Sequence, residues 1–335
     1  MTAPLPRPGI MDIRPYVGGE SALAGVSRVI KLSSNEGALG PSPRAMAAFR
    51  AQAEEMHRYP DGGATRLRRA LGERWGLDAA RIVCGAGSDE LLGLLCRAYA
   101  GPGDEVLYSA HGFLMYAIAA KACGALPVAA PEVDLTASVD NLLAAVTPRT
   151  RIVFLANPNN PTGTYLPVGE VRRLRAGLRA DILLVLDAAY AEFVVRNDYS
   201  PGIELVDAGD NTVMCRTFSK IFALGGLRLG WAYCPPAIAD VLNRVRNPFI
   251  VAAPTLAAGV AALEDVPFFD LTRRHTDYWL AWTSDELTRL GLAVIPSVCN
   301  FVLVRLAPVP GADAAAADAF LRTRGLIVRA VGSYG

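Results

Sequence analysis

Along this chain, short apolar runs alternate with longer segments whose apolar residues recur every three to four positions. RIVCGAG, DEVLYS, ALPVAAP, RIVFLAN, DILLVLDAAY and NTVMCRTF read as strands, and SDELLGLLCRAYA, FLMYAIAAKACG and VGEVRRLRAGLRA between them read as helices. Upstream, helical patterns run from Pro43 to Glu55 and through TRLRRALGERWG, separated by the turn HRYPDGG. Strands alternating with helices predict an α/β fold, a mainly parallel sheet covered by helices on both faces. Such sheets place ligand chemistry at the C-terminal ends of their strands. GAGSDE, NPNNPTG, DAAY and TFSK all fall there. Beyond Arg246 the pattern changes to long helices with the strand-like CNFVLVRL and LIVRAVG. The expected organisation is an N-terminal arm over residues 1–40, a large domain over 41–245 and a smaller α+β C-terminal domain over 246–335.

Composition narrows the field. A chain of 335 residues, 52% hydrophobic and 19% charged, has enough apolar material for a substantial core. Its formal charge of +1 offers no basic excess for nucleic acid or an anionic membrane surface. The cysteines, Cys84, Cys96, Cys123, Cys215, Cys234 and Cys299, form no CxxC pair, and His57, His111 and His275 have no metal-binding or triad spacing, so no metal is expected. The start, MTAPLPRPGIMDIRPY, lacks an apolar leader core, and no run reaches membrane-spanning length, which predicts a cytoplasmic protein.

Four motifs carry candidate chemistry. Lys220 stands in TFSKIFALGGLRLG among hydroxyls, apolar side chains and glycines. It is either a loop lysine with a packed stem or a desolvated amine able to condense with a carbonyl. GAGSDELL resembles half of a dinucleotide fingerprint, but Glu90 occupies the position where the third glycine is needed. What remains is a glycine turn with Ser88 as candidate N-cap: an ordinary capped helix start, or a phosphate cup if the Asp89 and Glu90 carboxylates point away. NPNNPTG is a rigid strand exit that could hold the Asn160 amide toward a ring oxygen, or a stiff loop without chemistry. In LDAAYAEF, Asp187 ends a strongly apolar run, either as a cap or facing a positive partner such as a protonated ring nitrogen, with Tyr190 three residues on.

Together these residues match one cofactor, a pyridine ring bearing an aldehyde, a phenolic oxygen and a phosphate. Lys220 suits the aldehyde, Asp187 the ring nitrogen, Asn160 and Tyr190 the phenolic oxygen, and Ser88, Ser219 and Arg228 the phosphate. That cofactor is pyridoxal 5′-phosphate.

At this point the chain resembles the fold type I pyridoxal-phosphate-dependent aminotransferases, and within them the histidinol-phosphate aminotransferase family. The motifs are KLSSNEGALGPSP, HRYPDGG, GAGSDELL, ANPNNPTG, LDAAYAEF, RTFSKIFALGGLRLGW and NFVLVRL. The resemblance implies transamination of histidinol phosphate with 2-oxoglutarate, with Lys220, Asp187 and Tyr190 as catalytic residues. It places the phosphate against the backbone of Gly87, Ser88 and Asp89, the hydroxyls of Thr217 and Ser219, and Arg228. Phe113 takes the place of the family's ring-stacking tyrosine, and stacking needs only an aromatic face. Tyr59 corresponds to a tyrosine that reaches the phosphate of a neighbouring subunit, which implies a homodimer. Tyr16, Asn35, Asn300 and Arg329 correspond to substrate-lining positions.

The chain departs from the family pattern at Ala188, where DAAY replaces DEAY, and at its end, VGSYG, where relatives continue into an LRIT-type segment. The second departure leaves two expectations: the C-terminal domain is incomplete as given, or the site must rely on Arg329 for the substrate's acidic group. Alternatives on the same fold are an aromatic amino-acid aminotransferase and a decarboxylase of phosphorylated amino acids.

Overall fold

A computed structural model describes residues 4–16, 18–26, 28–306 and 313–334. Residues 1–3, 17 and 27 of the expected arm, and 307–312 and 335 of the expected C-terminal domain, lie outside the described residues.

The first half of the chain runs β1 (Ile30–Lys31), α1 (Pro43–Arg50), α2 (Thr65–Trp75), β2 (Ile82–Gly85), α3 (Ser88–Tyr99), β3 (Glu105–Ser109), α4 (Met115–Cys123) and β4 (Leu126–Ala130). A small hairpin, β5 (Glu132–Val133) and β6 (Thr136–Ala137), leads into α5 (Val139–Ala144), β7 (Thr150–Ala156), α6 (Val168–Gly177), β8 (Leu183–Asp187), α7 (Ile203–Ala208) and β9 (Thr212–Thr217). Next come β10 (Gly230–Tyr233), α8 (Pro236–Val245), α9 (Ala253–Glu264) and α10 (Val266–Arg289). The chain closes with β11 (Ala293–Ile295), β12 (Leu303–Arg305), α11 (Ala314–Thr323) and β13 (Leu326–Ile327).

Seven strands form the central sheet in the order β2-β10-β9-β8-β7-β3-β4. All its neighbours pair in parallel except β10, which lies antiparallel between β2 and β9. The fold is therefore the mainly parallel, helix-covered α/β sheet that the pattern predicts. Alternation along β8 shows how the faces are used. Leu183 and Val185 pack with α3, α4 and α8 residues such as Leu91, Tyr116 and Ile238, whereas Leu184 and Leu186 pack with Leu142 and Leu174 of α5 and α6. Asp187 shares the parity of Leu183 and Val185, so its carboxylate emerges on the α4 side of the sheet.

Several boundaries differ from the sequence expectation. The helix expected from Pro43 to Glu55 ends at Arg50 and is followed by a separate short 3-10 turn, Ala53–Glu55. Its Ser42 cap accepts from the N–H groups of Arg44 and Ala45, and Pro43 fills the first turn without losing a needed donor. The strand expected through LIVRAVG stops at Ile327, which leaves Arg329 beyond it. β13 pairs in parallel with β1, so the segment before Arg329 lies beside the arm that carries Tyr16 and Asn35.

Candidate active site

The strand ends converge as the sheet topology requires. Gly87, with φ of 92°, caps α3 in place of Ser88, which is the first helical residue. This corrects the sequence reading: the left-handed turn needs glycine, and a Cβ on Gly87 would stand 2.3 Å from Nη2 of Arg228. Glu90 turns back, its Oε2 accepting from the Ala86 N–H at 2.6 Å. Asp89 does not turn away as expected; it pairs with Arg228 at 3.3 Å, and that guanidinium neutralises its charge. Nη1 of Arg228 also donates to Ser219 Oγ at 3.2 Å and to the Gly225 carbonyl at 3.0 Å. Thr217 is buried, and its hydroxyl accepts from the Ser219 N–H at 3.0 Å, holding Ser219 in the turn before Lys220. A helix N-terminus, a hydroxyl and an arginine thus face one another across a single cup.

Asp187 is 5% exposed. Burial raises its carboxyl to about 6, against the pull of a hydrogen bond from Tyr116. Tyr116 Oη donates to Oδ2 at 2.8 Å, while Oδ1 is buried with no hydrogen-bond partner among the described residues. Lys220 lies half-buried, its Nζ 5.5 Å from the Tyr190 ring centre and 3.4 Å from the Ser34 carbonyl oxygen. Desolvation lowers its pKa; Asp89 pulls the other way and Arg228 adds to the lowering. Tyr190 is buried, which raises its phenol, and the phenol oxygen accepts from Asn35 Nδ2 at 3.0 Å. Asn300 Nδ2 in turn donates to the Asn35 carbonyl at 3.1 Å. Asn160 follows the buried Asn159 at the exit of β7.

Phe113 meets Tyr116 edge-on with ring centres 6.0 Å apart, and Tyr116 stacks on Phe154 at 4.7 Å. The guanidinium of Arg329 lies 5.9 Å from the Tyr16 ring centre. Tyr334 belongs to the same neighbourhood: burial raises its phenol, the Leu114 N–H opposes that, and Tyr16 and Arg329 both act on it. Tyr59 is set apart, 84% exposed and stacked on Phe249 at 4.8 Å. Sequence reasoning missed Tyr116, Tyr334 and the Asp89–Arg228 pair. Only Tyr116 left a trace, its helical spacing from Phe113.

These residues fit pyridoxal 5′-phosphate. Oδ1 of Asp187 calls for a buried N–H donor, the Gly87 turn and Arg228 form an anion cup, and Lys220 is an amine that desolvation makes easier to deprotonate.

Residues 27–335 match the family model for aminotransferase class I and II, and the chain belongs to that family of pyridoxal-phosphate enzymes. The histidinol-phosphate aminotransferase of Paramagnetospirillum magneticum is 77% identical over 335 residues, which is all of this chain and 92% of that protein. The enzyme of the same description from Rhodospirillum centenum is 61% identical, again over all of this chain and 92% of that protein. The crystal structure of histidinol-phosphate aminotransferase from Sinorhizobium meliloti in complex with pyridoxal-5′-phosphate superposes with a TM-score of 0.88 at 31% identity, covering 96% of this chain and 88% of that one. The chain is thus similar over its full length to proteins described as histidinol-phosphate aminotransferases. Among the described residues no helix is long and apolar enough to cross a membrane.

Proposed function

We propose that this aminotransferase exchanges the amino group of histidinol phosphate with 2-oxoglutarate in histidine biosynthesis, on pyridoxal 5′-phosphate held by Lys220. The observation that carries the site assignment is the buried Asp187, whose Oδ1 has no partner among the described residues. When bound, the cofactor supplies an aldehyde that captures amines and a protonated ring that takes up the electron pair released at the substrate α-carbon.

The chain's residues divide the remaining work. Asp187, oriented by Tyr116, keeps the proton on the ring nitrogen. Lys220, once displaced, has the lowered pKa of a base able to take the α-proton at Nζ. Asn160 and Tyr190 donate to the phenolic oxygen, and Phe113 covers one ring face. The backbone of Gly87, Ser88 and Asp89, with Thr217, Ser219 and Arg228, binds the phosphate. Tyr16, Asn35, Asn300 and Arg329 line the substrate end, where a guanidinium suits a phosphate monoester. The active form is a homodimer in which Tyr59, exposed in one subunit, reaches its neighbour's cofactor phosphate. Six buried, unpaired thiols suit the cytoplasm.

The test is titration of the purified holoenzyme with histidinol phosphate, phenylalanine and threonine phosphate in separate experiments, followed by the visible absorbance of the cofactor. Rapid bleaching with histidinol phosphate alone supports the proposal. Bleaching by phenylalanine alone would reassign the enzyme to aromatic amino acids.

A further inference from the structure

The hairpin of β5 and β6 takes no part in the site described above, yet a buried carboxylate stands at its start. The Glu132 side chain is 2% exposed, and it meets the His111 imidazole, with Nδ1 at 2.7 Å from Oε2. Oε1 accepts from the Ser109 hydroxyl and from the His111 N–H, the latter at 3.1 Å. An ionised carboxylate only accepts, so His111 Nδ1 carries the proton in this contact. All three donors belong to the short turn that leads from β3 into Phe113. That turn has little freedom, because a Cβ on Gly112 would stand 2.8 Å from the Ser109 carbonyl oxygen.

The network continues to the other side of the pocket. The His111 carbonyl accepts from Asn159 Nδ2 at 3.1 Å, and the same amide lies 2.9 Å from Thr162 Oγ1. Thr162 contacts Thr164 at 2.8 Å, and Thr164 donates back to the hairpin at the Leu135 carbonyl, 2.9 Å away. One hairpin therefore fastens both the turn before Phe113 and the loop that presents Asn160. Charge-assisted bonds to a buried carboxylate are about twice as strong as neutral ones, so Glu132 is the firmest of these fastenings.

We infer that Glu132 is a positioning residue for the cofactor ring, acting through His111 on Phe113 and through Asn159 on Asn160. The inference rests on the reading that Phe113 and Asn160 face that ring. The readout is the dissociation constant of pyridoxal 5′-phosphate, measured by quenching of protein fluorescence as cofactor is added back to resolved enzyme. In Glu132→Gln an amide NH2 opposes one of the three donors, and the constant is expected to rise about tenfold. Combined with Phe113→Leu, it should rise by less than the product of the two single effects, because the route through Phe113 is then already lost and only the route through Asn160 remains. Combined with Arg228→Lys, at the phosphate end, the two effects should multiply. A merely structural role gives multiplication in both pairs.

An unchanged constant in Glu132→Gln, or multiplication with Phe113→Leu, overturns the inference. Should Glu132→Gln lose its far-ultraviolet circular dichroism, His111→Ala replaces it under the same criteria, with a rise of about threefold expected for one lost contact. Borohydride reduction of the unsubstituted holoenzyme checks the underlying reading separately. A pyridoxyl label on a lysine other than Lys220 would remove the ring from this pocket and overturn both.

Discussion

The phenol of Tyr116 donates to Oδ2 of Asp187 at 2.8 Å from one helical turn beyond Phe113, leaving Oδ1 buried and without a partner among the described residues. One oxygen of this buried carboxylate is held by a side chain and the other is left open, while the Ala189 N–H also favours the charged form.

Burial of this carboxylate has a pH signature. Unfolded, the Asp187 carboxyl ionises near 3.8, whereas in the fold burial raises it to about 6. Between those values the native state holds the extra proton, so the contribution of Asp187 to stability falls as pH rises, by about 3 kcal/mol in all. Urea unfolding of cofactor-free protein from pH 4 to 7 should show this fall relative to Asp187→Asn, which has no such group. Tyr116→Phe removes a donor to the charged form, and the fall should then extend to higher pH. Parallel curves for the parent and Asp187→Asn would refute the assignment.

Asp187→Asn should separate binding from chemistry. The phosphate cup and Lys220 remain, so the variant should retain cofactor through gel filtration. Its neutral amide cannot hold the ring nitrogen protonated, and the single-turnover rate with amino donor should drop by about a hundredfold or more. Rapid-mixing absorbance measures it, and a rate near the parent's would contradict the role.

Tyr59 tests the assembly. Light scattering should give a dimer at the concentrations used for assay, and Tyr59→Phe should weaken cofactor binding by about tenfold through loss of one charged hydrogen bond. A monomer that is fully active, or a Phe variant that binds cofactor as tightly as the parent, would count against a site shared between subunits.

Arg329 tests substrate recognition. Arg329→Ala should lower kcat/KM for histidinol phosphate by about ten to a thousandfold, while the dissociation constant of pyridoxal 5′-phosphate stays within about twofold. Equal losses for the phosphorylated donor and for a donor without phosphate would show that the guanidinium does not read the phosphate.

Much of the fold was legible because buried parallel strands such as LLVLD announce themselves by unbroken apolarity, and the same contrast exposed Asp187 at the strand's end. Lys220 stood out likewise among uncharged neighbours. Tyr116 did not, since a tyrosine in an apolar helix reads as core until α4 is laid against β8. The Asp89–Arg228 pair joins residues far apart in sequence, and no local pattern carries such a contact. Ser88 was misjudged as the cap because side-chain preference was weighed without the close approach of Arg228, which only Gly87 permits. β10 escaped notice for a related reason: GWAY is four residues long and lies antiparallel in an otherwise parallel sheet.

That inconspicuous strand ties the early glycine turn to a part of the chain made much later. A Cβ on Gly230 would fall 2.2 Å from the Ser88 nitrogen, so β10 runs directly behind the phosphate cup and sets its floor. A nascent chain that has emerged only as far as Lys220 carries the amine, the carboxylate and the glycine turn, yet lacks both Arg228 and the strand that supports the turn. The cup is therefore complete only once this late strand lies between two neighbours that precede it in the chain.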